Sequence, residues 1–174
     1  MKVLLAAAAL TATLAAAIAG SANAQAVNRI TNPPPAIILS GAIVPPGAEI
    51  FHLSGQLASP VDATKPVTGP ESFGDTKAQT VSIFTKIKAI LEKQGYKMSD
   101  VFKLTVFVTA APDMAGKMDF AGFNEGYKQF FGTAENPNLV ARSTVQVAAL
   151  AGPNFLIEIE ATAARMPKLM KKAM

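Results

Sequence analysis

The sequence predicts a single α/β (α+β) domain: one mixed sheet with two helices on one of its faces, in the order β-β-α-β-α-β-β. Three observations carry this. Half of the 174 residues are apolar and only 16% are charged, which suits a chain that buries a core of its own. Two segments repeat apolar residues at three- and four-residue steps, the mark of a helix with one greasy face. Around them lie short β-branched runs whose apolar residues alternate, the mark of strands.

Residues 1–24, MKVLLAAAALTATLAAAIAGSANA, stand apart from this domain. Lys2, an Ala/Leu-rich run and the small-x-small triplet Ala22-Asn23-Ala24 predict a secretory signal peptide cleaved before Gln25. The mature protein is then periplasmic or secreted. The apolar run is short for a hydrocarbon core about 30 Å thick, and no basic stop-transfer flank follows it, so stable membrane insertion is not expected. Residues 25–164 form the domain, and residues 165–174 a basic tail expected to be disordered.

Within the domain, QAVNRITNPPP reads as an extended lead-in, because three successive prolines block both helix and central strand. AIILSGAIV and EIFHLSGQL read as strands joined by the turn PPGA into a hairpin. ASPVDATKPVTGPESFGD is a loop. The clearest helix spans Thr76 to Gln94, with Val81, Phe84, Ile87, Ile90 and Leu91 as its stripe, Asp75 as N-cap and Gly95 as terminator. SDVFKLTVFV is a strand. APDMAGKMDFAGFNEGYKQFFG is the second helix, with Phe120, Phe123, Tyr127, Phe130 and Phe131 on its buried side and Gly132 ending it. ARSTVQV and FLIEIEA are the last two strands.

Composition removes several chemistries. Without cysteine there is no disulfide framework, thiolate metal site or cysteine nucleophile. The single histidine, His52, excludes a multi-histidine metal site. The net charge of +4 owes much to the KLMKKAM tail, so the domain lacks the basic stripe that nucleic-acid binding uses.

The charged residues of the last two strands are more informative. Side chains alternate faces along a strand, so Val145 and Val147 share one face and Arg142, Thr144 and Gln146 the other. In FLIEIEA, Phe155, Ile157, Ile159 and Ala161 oppose Glu158 and Glu160. If the two strands pair as a hairpin around ALAGP, the apolar sets meet the helices. Arg142 and Thr144 then fall near Glu158 and Glu160 on the uncovered face. One reading is a cross-strand ion pair on a solvated face, contributing about 0.2–1 kcal/mol. The other is a small-anion site, with Arg142 gripping a carboxylate in a two-pronged fork and a glutamate moving a proton. Spacing alone leaves both open.

Five segments resemble the RidA family, also called YjgF or L-PSP proteins: HLSGQL (52–57), VFKLTVFV (101–108), FNEGYKQFF (123–131), ARSTVQVAAL (141–150) and IEIEATA (157–163). They occur in the family's order and at close to its spacing, from about residue 50 to residue 164. The resemblance implies a chorismate-mutase-like fold assembled as a homotrimer, with the uncovered sheet faces lining an inner barrel and clefts between subunits. It implies cofactor-free hydrolysis of reactive imine and enamine acids, such as 2-iminopropanoate, to 2-keto acids and ammonia. By position, Arg142 would bind the substrate carboxylate and Glu158 would orient and deprotonate the attacking water. Ser54, Gly55 (through its N–H), Thr144 and Asn124 would complete the substrate site. Glu160 is expected at a subunit interface, and His52 to be structural. The match departs from the family at PPPAIILSGAIVPPGA, which lacks the tyrosine that closes the pocket in many members. That change predicts a wider, less polar pocket on one side. A non-catalytic trimer binding small carboxylates or proteins is the alternative. Ribonuclease activity, with which the family is often labelled, suits a chain with one histidine poorly.

Overall fold

The computed structural model describes residues 27–167. The signal segment and most of the basic tail lie outside them. The strands are β1 (Asn28–Thr31), β2 (Leu39–Ile43), β3 (Glu49–Leu57), β4 (Val101–Val108), β5 (Ala141–Gln146) and β6 (Ile157–Arg165). The helices are α1 (Thr76–Lys93), between β3 and β4, and α2 (Phe120–Tyr127), between β4 and β5.

Helix α1 forms as its end residues dictate. The Asp75 carboxylate accepts from the Ala78 N–H at 2.7 Å, and Gly95 takes φ 74° just past the end. Its fully buried apolar residues are Ile83, Phe84, Ile87 and Leu91, each worth about 1.5–3 kcal/mol of hydrophobic stabilisation. Val81 and Ile90 are only half-buried at the stripe's margins. Helix α2 is shorter than the sequence predicts. Asp119 caps it through the Gly122 N–H at 2.8 Å, and the preceding APDMAGKM forms turns, with Ala115 and Gly116 at positive φ.

A four-stranded sheet runs in the order β3-β6-β4-β5, with β4 and β5 parallel and the other pairs antiparallel. Leu104, Val106, Ile157, Ile159 and Ala161 form the face that meets the helices. Helix α1 packs on β3 and β6, and α2 lies beside α1. A methyl group at Gly126 would come within 2.7 Å of Thr80 Cβ and 3.2 Å of the Lys77 carbonyl, so glycine there permits the close helix–helix approach.

Three pairings differ from the sequence reading. The lead-in contributes a strand, β1, which pairs antiparallel with β2 in a separate two-stranded sheet, so β2 and β3 form no hairpin. Arg29 holds this ribbon in place, donating to the carbonyls of Leu139, Ser99 and Val101 at 2.7–3.0 Å. Nor do β5 and β6 form a hairpin, since β4 lies between them. Arg165, assigned by sequence to the tail, ends β6, donates to Glu49 at 2.9 Å and lies 4.2 Å from the Tyr96 ring centroid.

Candidate functional site

Strand β5 presents its faces opposite to expectation. Arg142 is paired with Leu104 and Thr144 with Val106, both fully buried against the helices. Paired residues share a face, so Arg142, Thr144 and Gln146 lie on the helix side, while Ser143 and Val145 are exposed on the other. Parallel pairing to β4 dictates this register, and α2 supplies what an inward arginine needs. The Arg142 Cζ lies 4.7 Å from the ring centroids of both Phe123 and Tyr127 and 5.7 Å from that of Phe120. These distances are within cation–π range. Its Nη2 donates to Asn124 Oδ1 at 2.9 Å.

Among the described residues, Arg142 Nη1 and Thr144 Oγ1 are buried without a hydrogen-bonding partner, which normally costs about 1–3 kcal/mol per group. Burial pulls the Arg142 pKa below the ordinary guanidinium value, and the neighbouring Tyr127 opposes that shift. Burial also pushes the Tyr127 phenol up to about 12, so it stays neutral beside the cation. Gln146 holds the approach to α2, accepting from the Met118 N–H at 2.9 Å and donating to the Gly116 carbonyl at 2.8 Å.

The other candidates meet elsewhere. Glu158 is paired with Phe107 of β4, three residues beyond Leu104, so it faces away from the helices. A bulge between Leu53 and Gln56 brings Ser54–Gly55 beside it. The Glu158 carboxylate rests against Gly55 where a side chain would otherwise project. Ser54 and Glu160 are exposed, as is His52, whose Nδ1 lies 3.4 Å from Thr162 Oγ1. The candidates therefore form two groups on opposite faces of one sheet. Arg142, Asn124 and Thr144 form the first, and Glu158, Gly55 and Ser54 the second. The expected proximity of Arg142 to Glu158 within one chain does not occur.

In the segment that lacks the family tyrosine, Leu39 is buried and Ile37 packs on the core, while Ile43 is 58% exposed. The phenol in this region is Tyr127, whose hydroxyl donates to the Ile37 carbonyl at 2.9 Å. The aromatic cradle was readable only as core. Phe120, Phe123 and Tyr127 share a helical face by spacing, yet Phe120 is 44% exposed beside Arg142. Among the described residues no group of three or more His, Cys, Asp or Glu side chains is placed to hold a metal. Nor is any helix there long and apolar enough to cross a membrane.

A mixed sheet with both helices on one face and the other face open is an α+β fold shared with the Rid and YjgF proteins. The Rid protein YyfB of Yersinia pestis superposes with a TM-score of 0.59 at 26% identity, over 79% of this chain and 98% of that one. The Escherichia coli YjgF gene product gives 0.52 at 37% identity, over 67% and 80%. The chain belongs to the RidA/YjgF/L-PSP family, whose model, described as Endoribonuclease L-PSP, matches residues 30–165. Relatives include a RutC family protein of Pyrococcus horikoshii, 42% identical over 65% of this chain and 77% of that protein. A Salmonella typhimurium protein named 2-iminobutanoate/2-iminopropanoate deaminase is 42% identical over 64% and 77%.

Proposed function

We propose that this protein is a cofactor-free deaminase that hydrolyses small 2-imino acids to 2-keto acids and ammonia, at sites shared between neighbouring subunits of a homotrimer. The observation that carries this is the state of Arg142. Its guanidinium is held by aromatic faces and one amide, with Nη1 and the Thr144 hydroxyl left for a ligand to satisfy. A substrate carboxylate supplies the matching acceptors. Relatives named as imine deaminases at about 40% identity support the reaction class.

Glu158 would take a proton from water as the water oxygen bonds to the imine carbon. With the substrate entering as the protonated imine, the resulting amino alcohol would take that proton at nitrogen. As the C–N bond breaks and ammonia leaves, the hydroxyl would give its remaining proton to the Glu158 carboxylate and become the carbonyl. An imine carbon is already electrophilic, so binding and a positioned base suffice. Because Arg142 and Glu158 lie on opposite faces, one subunit would supply the arginine and its neighbour the glutamate.

Imines generated in place with an amino-acid oxidase test the reading. Arg142→Ala is expected to abolish both turnover and binding of 2-oxobutanoate. Glu158→Gln should keep binding while losing turnover by on the order of a hundredfold or more, since the amide accepts no proton. The leucine-derived imine should be consumed at least as fast as the alanine-derived one. If wild-type protein binds 2-oxobutanoate but never accelerates imine loss, it is a carboxylate-binding module.

A further inference from the structure

We propose that Tyr127 is a positioning residue for Arg142, its ring face fixing the guanidinium and its hydroxyl fixing the ring against the segment between β1 and β2. The proposal rests on the carboxylate-binding reading of Arg142. An arginine held by carboxylates spends its donors on them. Here the side chain has one hydrogen-bonding partner, Asn124, and among the described residues no carboxylate pairs with it. Beyond that one amide, its orientation must come from the ring faces. Of the three rings around it, Phe120 is exposed and more distant, and Phe123 has no polar tether. Tyr127 is fully buried and fixed from two sides. Its ring stacks on Phe131 with centroids 5.0 Å apart and planes 21° from parallel, and its hydroxyl donates to the Ile37 carbonyl.

A structural core tyrosine would lower stability when removed and leave Arg142 undisturbed. A positioning tyrosine must also change how Arg142 is held and how tightly it binds anions. The Arg142 Nε–H resonance reads the first property without any ligand, because protons over aromatic faces shift upfield. It is assigned by its disappearance in Arg142→Lys. In wild type it should lie upfield of the exposed arginines, remain there in Tyr127→Phe, and move toward them in Tyr127→Leu. Should Tyr127→Leu fail to fold, Tyr127→Met fills more of the ring's volume without its face and carries the same expectation.

The Kd for 2-oxobutanoate and the KM should rise roughly tenfold in the Leu or Met variant, the size of a lost desolvated cation–π contact, with kcat nearly unchanged. Tyr127→Phe should bind within a few-fold of wild type. Leu91→Ala, a core truncation in α1, should lower Tm without moving the resonance or the Kd. An unmoved resonance in the Leu or Met variant overturns the proposal. So does a Leu91→Ala effect on Kd as large as theirs. If wild type binds no 2-oxobutanoate, the functional reading falls and the resonance alone decides the role of Tyr127.

Discussion

In the proposed mechanism, Gly55 serves chemistry with little effect on stability. Its missing side chain leaves the space in which the Glu158 carboxylate lies, on a strand bulge that aims the backbone toward it. The obstructed group is the far end of a flexible side chain, so a methyl there displaces the carboxylate without breaking the sheet. Gly55→Ala should reduce imine turnover on the order of tenfold or more, because a general base out of reach contributes nothing. Binding of 2-oxobutanoate should change little, and thermal melting should place the variant within a few degrees of wild type. A full loss of folded protein would show instead that Gly55 is structural.

The elements show where sequence patterns suffice and where they do not. Helix α1, its Asp75 cap and its Gly95 exit were legible because local chemistry sets them, and so were the strands β3, β4 and β6. Partner choice was not. Alternation along ARSTVQV (141–147) puts two valines on one face and an arginine on the other, which suggests an outward arginine. The parallel register with β4 and the rings of α2 reverse that. No count of apolar residues reveals that three aromatics can make an inward cation acceptable. Likewise, three prolines correctly predict irregular chain but conceal the short β1 that precedes them. The contact between helices gives a direct test. A methyl at Gly126 has Thr80 and the Lys77 backbone in its path, so Gly126→Ala should destabilise the protein by about 1–3 kcal/mol through overpacking, read by urea unfolding. An unchanged midpoint would mean that α1 and α2 separate easily, leaving the cradle around Arg142 less rigid than the packing implies.

At the scale of the whole molecule, two expectations concern what surrounds the domain. If residues 1–24 direct export, intact-mass measurement of soluble protein recovered from a bacterial periplasm should show a chain beginning at Gln25. Soluble protein that retains Met1 would contradict it. The second is assembly. The helix-free sheet face carries Phe107, Val145, Glu158 and Glu160 together, a mixture that suits an interface better than open solvent. A ring of three subunits in which each Arg142 works with a neighbour's Glu158 makes a specific demand on mixed assemblies. Arg142→Ala and Glu158→Gln trimers are each expected to be inactive alone. Random mixing of equal amounts places an intact arginine opposite an intact glutamate in roughly a quarter of the sites, by the statistics of a cyclic trimer. The most direct measurement is therefore imine turnover after unfolding and refolding the two variants together, with native mass spectrometry confirming mixed trimers. Recovery of about a quarter of wild-type activity is expected from sites that span two chains. Mixed trimers no more active than the separate variants would contradict it, because each site would then draw both residues from a single chain.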